Sequence, residues 1–240
     1  MNSEASFPLL LTVGLVALFL FAVGLWLWRV SGRAARVDWG GTLVNHIDGF
    51  GRLLCNRYHR LRGDSLYLPE SGSAIVVANH ISGLDPFLLI AASKRRLRFI
   101  IASEQYHRFG LTWLFRAAGC IPVDRKGRPE RAFRAALKAL AEGEVVALFP
   151  HGTIHLDSDP YRKLKPGAIR LAQLADCPIY PARIDGVRAA GGIVLPVLLR
   201  GRAKIENFPV IDCSGREQAD CLLELEQMLV KQDAEGKLQH

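Results

Sequence analysis

Charge is missing from the start of this chain. Between Leu9 and Trp28 no charged side chain occurs, and Thr12 is the one weakly polar residue. Twenty helical residues at about 1.5 Å each span roughly 30 Å, the thickness of a bilayer's hydrocarbon core. A cleaved secretory signal would have a basic start, a shorter apolar region and a small-residue cleavage site. This segment instead follows Glu4 and runs into Arg29, so the sequence predicts a retained transmembrane anchor.

Lysine and arginine are also absent from the first 28 positions. All 31 of these residues lie at Arg29 or beyond, and Arg29, Arg33 and Arg36 follow the apolar segment directly. Cationic residues beside a membrane span stay on the cytoplasmic side. We therefore expect a single-pass protein whose C-terminal part faces the cytoplasm.

Several protein classes are excluded by what the chain lacks. None of its five cysteines stand in Cys-x-x-Cys spacing, which argues against a zinc site or a disulfide framework and fits a reducing compartment. Internal repeats and low-complexity segments are absent. The net charge of +8 comes with no recognised nucleic-acid motif. With a membrane anchor present, the expected partners are membrane lipids and phosphorylated substrates, not nucleic acid.

Hydrophobic patterning divides the chain into three parts. We predict an anchor at residues 1–28, a basic linker with an amphipathic helix at 29–70, and an α/β domain at 71–240. Apolar residues of the helix recur every three or four positions. They are Leu43, Ile47, Phe50, Leu54, Tyr58 and Leu61. This stripe either packs on the domain, which is the commoner outcome, or lies on the membrane surface.

From residue 74 onward, strand-like and helix-like segments alternate. The strand-like runs are 74–78, 97–102, 145–149, 178–184, 192–199 and 202–206, and the helix-like ones are 85–93, 104–118, 129–142, 167–175 and 215–231. Such alternation predicts an α/β fold with a mixed, largely parallel sheet flanked by helices. Sites in such sheets lie beyond the carboxyl ends of the strands. The chain after Lys231 is expected to be frayed.

The first candidate site follows the run at 74–78. Asn79-His80 ends that run, and Asp85-Pro86 opens a helix after a turn at Gly83. An imidazole can accept a proton near neutral pH, and a carboxylate can fix its tautomer, so the pair fits a general base. Equally, Asp85 could be an ordinary helix cap, with His80 bonded to backbone in a loop.

Two further loops carry polar residues. Arg125, Lys126 and Arg128 surround a glycine just before the helix at Pro129, which fits an anion site or simply a solvated loop. The other loop, Phe149-Pro150-His151-Gly152-Thr153, follows a strand and precedes Lys163 and Lys165. Its Gly-Thr turn exposes backbone donors and a hydroxyl.

Taken in order, these stretches resemble the motifs of the glycerolipid acyltransferases, typified by the 1-acyl-sn-glycerol-3-phosphate acyltransferases. Asn79, His80 and Asp85 match the NHxxxxD motif without departure. Residues 119–125 and 149–153 are similar to the second and third motifs of the family, with Lys165 after them. Pro178-Ile179-Tyr180-Pro181 is similar to the fourth. The resemblance covers about residues 55–210.

The resemblance implies transfer of an acyl group from acyl-CoA or acyl-carrier protein to the hydroxyl of a lysolipid. His80 would be the general base and Asp85 its orienting partner, while Arg125 would hold the acceptor's phosphate. The remaining substrate-binding positions would be Asn79, Phe149, Pro150, His151, Gly152, Thr153 and Lys165. No cofactor is implied beyond the acyl donor as co-substrate.

Two departures from the third motif leave alternatives open. The family has Glu where this chain has His151, and Arg where it has Ile154. Both positions are associated with the glycerol phosphate, so the acceptor could be another lysophospholipid or a lyso-aminolipid. A pool of plausible metal ligands also suggests a metal-dependent lipid phosphoesterase, and it consists of His80, Asp85, His151, His155, Asp157 and Asp159. On a helix, the spacing of His151 and His155 would place two imidazoles on one side, one turn apart. A third alternative is a domain that only binds lipid.

Overall fold

The computed structural model describes residues 6–125 and 127–230, with side chains from residue 10 onward. Lys126 and the chain after residue 230, where a frayed tail is expected, lie outside the described residues. The helices are α1 Ser6–Ala34, α2 Thr42–Leu53, α3 Asp85–Ala92, α4 Ser103–Tyr106, α5 Thr112–Ala117, α6 Pro129–Ala141, α7 Gly167–Ala175, α8 Leu195–Leu198 and α9 Gln218–Leu229. A π-helical turn, Leu54–Tyr58, continues α2.

The strands form one six-stranded sheet, as its alternating pattern predicts. They are β1 Ala74–Ala78, β2 Leu97–Ala102, β3 Ile121–Val123, β4 Val145–Leu148, β5 Ile179–Asp185 and β6 Lys204–Asn207. Their order is β3-β2-β4-β1-β5-β6, and only β6 runs antiparallel to its neighbour. The predicted mixed, largely parallel sheet is thus confirmed.

Helices cover both faces of this sheet. The core on one face joins β1, β4 and β5 to α6, α7 and α9. The core on the other face joins the same strands to α3 and the π-helical turn. Every residue of β1 is buried because both faces are covered, which explains its uninterrupted apolar run.

Two predicted elements differ in the structure, and one strand was not predicted. Residues 192–199 form a turn followed by α8, so the predicted strand there is wrong. Pro196 lacks the N–H that a sheet ladder needs, and it lies in the first turn of a short helix instead. The predicted helix at 104–118 is broken at Gly110, whose φ of 78° is not helical. The short strand β3 was missed because three residues give too little periodicity.

The first helix is long and apolar enough to cross a membrane from Leu10 to Ala34, and its most apolar stretch is not buried against the protein. It crosses α2 closely. A Cβ at Gly49 would lie 1.8 Å from the Ser31 carbonyl oxygen, so glycine is required there. Trp28 also stacks on His46 at a centroid distance of 3.6 Å.

The apolar stripe of the amphipathic helix packs only in part, since Ile47, Leu54 and Leu61 are half-buried. Leu43 and Phe50, both on its apolar stripe, are each 54% exposed. The buried positions of α2 are instead Asp48, Gly49 and Arg52. Arg52 reaches the carboxyl end of α3 and pairs with Asp48, so a buried ion pair replaces the expected apolar contact.

Candidate active site

A single carboxylate organises the turn between β1 and α3. Oδ2 of Asp85 accepts hydrogen bonds from the backbone N–H groups of Ile81 at 2.7 Å and Ser82 at 2.8 Å. Its Oδ1 accepts the Ser82 hydroxyl at 2.5 Å. Asp85 is fully buried, and these donors take the place of water around its charge.

The same carboxylate binds His80. Nδ1 of His80 lies 2.8 Å from Oδ2 of Asp85, across the bend that the five-residue spacing requires. The alternative of a loop histidine bonded to backbone is therefore excluded. A neutral His80 that donates Nδ1–H to Asp85 carries its lone pair on Nε2, the arrangement of a general base. The His80 side chain is 18% exposed, so it is accessible from one side.

An aromatic ring supports the imidazole. Phe149, at the end of β4, stacks on His80 with centroids 4.1 Å apart and ring planes 12° from parallel. The backbone N–H of His155 donates to the His80 carbonyl at 2.7 Å. Since β4 and β1 are neighbours, the first and third motifs meet at the carboxyl edge of the sheet, as predicted.

The segment after β5 contacts the other side of the turn between β1 and α3. Gly83 N–H donates to the Gly192 carbonyl at 3.0 Å, and Gly191 N–H donates to the Ile81 carbonyl at 2.7 Å. A Cβ at Gly83 would lie 2.2 Å from the Ile193 carbonyl oxygen. Gly83 thus permits a close backbone contact, in addition to the bend predicted from the sequence.

Cationic side chains converge on the Gly152 turn. The Arg125 guanidinium donates to the Gly152 carbonyl, and it also pairs with Glu104 at 3.0 Å. The Lys165 ammonium lies 2.9 Å from the position of a Cβ on Gly152. The backbone of Lys165 is held by the Pro150 carbonyl at 3.1 Å. The structure thus brings the second and third motifs together around one turn.

A further cation at this turn was missed from the sequence. Arg162 donates to the Thr153 hydroxyl at 2.9 Å. It belongs to no motif, and a lone arginine in a polar loop gives no local signal. Its contact supplies positive charge one residue from Ile154, where the family has Arg. Ser82 was missed as well, although its place between His80 and Asp85 was the available clue.

His151 lies near His80, in surroundings that disfavour a positive charge on its ring. Its ring is 4.4 Å from the ring of His155, and its Nε2 bonds the Arg162 carbonyl at 3.2 Å. Burial, and after it the electrostatic influence of the neighbouring His155, Arg162 and His80 side chains, lowers the pKa of His151 to about 4. Its buried Nδ1 finds no hydrogen-bond partner within the part of the chain that the structure describes.

Asn79 has a different place from the predicted one. Its amide nitrogen donates to the Ile184 carbonyl at 2.9 Å, and its oxygen accepts the Ile184 N–H at 2.7 Å. The side chain is 4% exposed, and both ends of its amide are used within the fold. This arrangement favours a structural role for Asn79 over the predicted substrate contact. Its two hydrogen bonds hold β5 beside the turn between β1 and α3.

The residues that suggested a metal site do not converge. Asp85 is saturated by backbone and hydroxyl donors, Asp157 pairs with Arg183 at 2.5 Å, and His155 faces Asp159 at 3.6 Å. Between residues 6 and 230, Lys126 excepted, no three His, Cys, Asp or Glu side chains are grouped as metal ligands. The loop at 150–166 is also not helical, so the four-residue spacing of His151 and His155 does not place them one helical turn apart.

Comparison with known proteins links this geometry to a family. A family model described as "Acyltransferase" matches residues 63–185. The N-acylphosphatidylethanolamine synthase of Arabidopsis thaliana is 29% identical over 200 residues, 73% of this chain and 66% of the relative. The 1-acyl-sn-glycerol-3-phosphate acyltransferase of Bacillus subtilis is 26% identical over 120 residues, 50% and 59% of the two chains. A probable enzyme of the same name from Mycoplasma genitalium is 34% identical over 119 residues, 47% and 44%.

A solved structure has the same fold. The crystal structure of the 1-acyl-sn-glycerophosphate (LPA) acyltransferase PlsC from Thermotoga maritima superposes with a TM-score of 0.63 at 21% identity, over 78% of this chain and 77% of that one. The matched region spans between 44% and 66% of the three relatives' lengths. The family model covers the sheet from β1 to β5, with the His80–Asp85 pair inside it. The predicted family is therefore confirmed, and the chain belongs to the acyltransferases, on the glycerolipid branch that its motifs resemble.

Proposed function

We propose that this chain is an O-acyltransferase that moves a fatty acyl group from acyl-CoA or acyl-carrier protein to the hydroxyl of a lysolipid in phospholipid biosynthesis. The observation that carries the proposal is the His80–Asp85 pair, held by three further donors at the carboxyl edge of the sheet. Lysophosphatidic acid and related lysophospholipids or lyso-aminolipids are the acceptors considered.

In the proposed reaction His80 Nε2 takes the proton of the acceptor hydroxyl as its oxygen attacks the thioester carbonyl carbon. The carbon–oxygen bond forms, the carbon–sulfur bond breaks, and the leaving thiolate receives the proton from the imidazolium. Asp85 stabilises that imidazolium and holds the ring in one tautomer. No acyl-enzyme intermediate is required.

The cationic turn supports an anionic acceptor. Arg125 and Lys165 reach Gly152, and Arg162 reaches Thr153, so three cations surround one turn beside the catalytic pair. A guanidinium binds two phosphate oxygens with its planar fork. We assign Arg125 and Lys165 to the acceptor phosphate, with Phe149, Pro150, His151 and Thr153 lining the same side.

The N-terminal helix supports membrane attachment. We propose that residues 1–28 anchor the chain, that 29–70 lie at the membrane, and that 71–240 catalyse acyl transfer on the cytoplasmic side. A lipid acceptor then reaches His80 without leaving the bilayer.

A second acceptor class is favoured by one observation. The relative that covers 73% of this chain is named an N-acylphosphatidylethanolamine synthase. His151 and Ile154 also replace the Glu and Arg of the motif that it otherwise resembles. The same base can take a proton from an amine, so an aminophospholipid is the alternative acceptor, with an amide as product.

The test is the product formed from a labelled acyl donor. Purified protein in detergent receives labelled acyl-CoA or acyl-carrier protein with lysophosphatidic acid, lysophosphatidylethanolamine, a lyso-aminolipid or phosphatidylethanolamine. Label that mild alkali releases as free fatty acid was ester-linked and supports the first proposal, whereas label that stays bound to the headgroup nitrogen after the same treatment supports amide formation. Labelled lipid from none of these acceptors would contradict both.

A further inference from the structure

Large apolar side chains are exposed on two loops that leave the catalytic edge of the sheet. One is the α4–α5 segment, where Phe109 is fully exposed and Trp113 is 49% exposed. The other is the segment after β5, where Ile193, Leu195 and Leu198 are each more than half exposed. With Phe87 on the first turn of α3, we call these six side chains the apolar rim.

Strand order places the two loops on opposite sides of the active site. His80 and His151 follow the neighbouring central strands β1 and β4. The α4–α5 segment follows β2, which borders β4, and the 186–199 segment follows β5, which borders β1. Parallel strands end at the same edge, so the catalytic pair lies between the two loops.

Contacts fix both loops to the site. Glu104, at the start of α4, pairs with Arg125 beside the Gly152 turn. On the other side, Gly192 accepts the Gly83 N–H, and the Tyr58 hydroxyl donates to the Leu198 carbonyl at 2.8 Å. The apolar side chains of each loop remain exposed although its backbone is held, so their exposure is built into the fold.

The rim is continuous with the anchor helix. The α2 helix packs on α1 at Gly49 and exposes Leu43 and Phe50. The next residue, Gly51, faces Phe87, whose ring lies 3.9 Å from where a Cβ on Gly51 would be. An exposed apolar surface therefore leads from the membrane-spanning candidate to the entrance of the site.

The charged side chains around the apolar rim indicate what kind of surface it binds. Arg108 and Arg116 flank Phe109 and Trp113, and Arg188 and Arg200 flank the loop after β5, all with exposed side chains. Apolar side chains ringed by cations suit a bilayer surface that carries anionic phospholipid, because the cations are attracted to its negative charge. A surface that binds a protein partner would not need to be continuous with the membrane-anchor helix, as the rim is.

We propose that the apolar rim inserts into the headgroup region of the same bilayer that α1 spans, and that it seals the active-site entrance against the membrane. Removal of large apolar side chains from water favours this insertion. Insertion of the rim into the membrane does not depend on the acyl-transfer reaction. Only the role of the rim in bringing a membrane-held acceptor to the site rests on the proposed function.

The direct test measures depth in the membrane at three positions of the full-length chain. Phe109→Cys and Leu195→Cys are labelled with an environment-sensitive fluorophore in vesicles of phosphatidylethanolamine and phosphatidylglycerol, with or without brominated lipid. Leu174→Cys is the matched control, because Leu174 is 63% exposed in the last turn of α7, at the opposite edge of the sheet. Labelled wild type gives the background of the five native cysteines, of which four are buried and Cys120 is half-buried.

We expect brominated lipid to quench the labels at 109 and 195 several-fold more than the label at 174. If either rim label stays as accessible to water as the label at 174, the proposal is wrong.

A functional test separates this proposal from the reaction itself. The Phe109→Ser/Leu195→Ser variant should lose about tenfold or more of kcat/KM for an acceptor held in vesicles, given the burial lost at two side chains. It should keep its kcat/KM for a short-chain, water-soluble acceptor, and Leu174→Ser should change neither. An equal loss with both acceptors would contradict the rim's role. If wild type turns over no acceptor, the proposed function fails while the quenching result stands.

Discussion

At the residue scale, the site depends on how Asp85 is held. A buried carboxylate is costly unless donors surround it, and here two backbone N–H groups, the Ser82 hydroxyl and His80 do so. The turn has little freedom as a result, and His80 keeps one orientation. In the proposed mechanism, preorganisation of this kind, more than the identity of the two residues alone, makes the pair a base.

Ser82→Ala tests this positioning. The variant removes one charge-assisted bond, which contributes roughly 1.5–3 kcal/mol, so we expect kcat to fall about tenfold with little change in acceptor KM. Steady-state kinetics measure both. Ser93→Ala is the control, because it also removes a buried hydroxyl, one bonded to the Arg95 carbonyl away from the site. A Ser82→Ala enzyme with wild-type kcat would contradict the positioning role.

His151 makes stability depend on pH. Burial lowers its pKa from 6.5 to about 4, so the unfolded chain binds this proton more readily than the folded one. Stability is therefore full above about pH 6.5 and falls as pH drops toward 4, by about 3 kcal/mol at most. Unfolding in detergent at a series of pH values measures this fall.

His151→Gln provides the comparison for this pH effect. Glutamine cannot titrate, so we expect the variant to lose stability less steeply between pH 6.5 and 4 than wild type does. Parallel stability curves for the two proteins would show that His151 is not the group responsible.

At the element scale, one arginine links α2 to α3, the helix that begins at Asp85. Arg52 on α2 is 2% exposed, and it pairs with Asp48 at 2.8 Å. Its guanidinium also donates to the carbonyls of Ala91 and Ser93, at the carboxyl end of α3. The position of α3, and with it Asp85, is thereby tied to α2.

Arg52→Met should destabilise the protein by about 3–5 kcal/mol, because it leaves the Asp48 charge buried without its partner. The Arg52→Met/Asp48→Leu double variant should recover much of that loss, since no charge is then stranded. Chemical unfolding in detergent measures both. A double variant as unstable as the single one would contradict the ion-pair explanation.

A second link, between α4 and the Gly152 turn, is made by Arg125. If its guanidinium holds the acceptor phosphate, Arg125→Ala should raise the acceptor KM about tenfold or more and leave the donor KM unchanged. Arg131→Ala, a change at an exposed arginine on α6, is the control. An unchanged acceptor KM in the Arg125 variant would contradict the assignment of Arg125 to the acceptor phosphate.

At the scale of the whole molecule, the parallel sheet and the meeting of the first and third motifs could be predicted from the sequence. Buried parallel strands read as apolar runs, and their carboxyl ends share one edge. The orientation of α2 could not be predicted. An apolar stripe normally faces the core, whereas here Asp48 and Arg52 are the buried side chains of the helix. The place of Arg162 in the site could not be predicted either, because its contact with Thr153 depends on how the 150–166 loop folds.

The central claim is that His80 removes the acceptor's proton, and thiol release tests it most directly. Wild type, His80→Ala and His107→Ala, a change at an exposed histidine outside the site, receive the same acyl thioester with and without lysolipid. We expect release that requires lysolipid, falls by about 10²–10⁴ in His80→Ala and persists in His107→Ala. Lysolipid-dependent release that His80→Ala retains at the wild-type rate would contradict the mechanism.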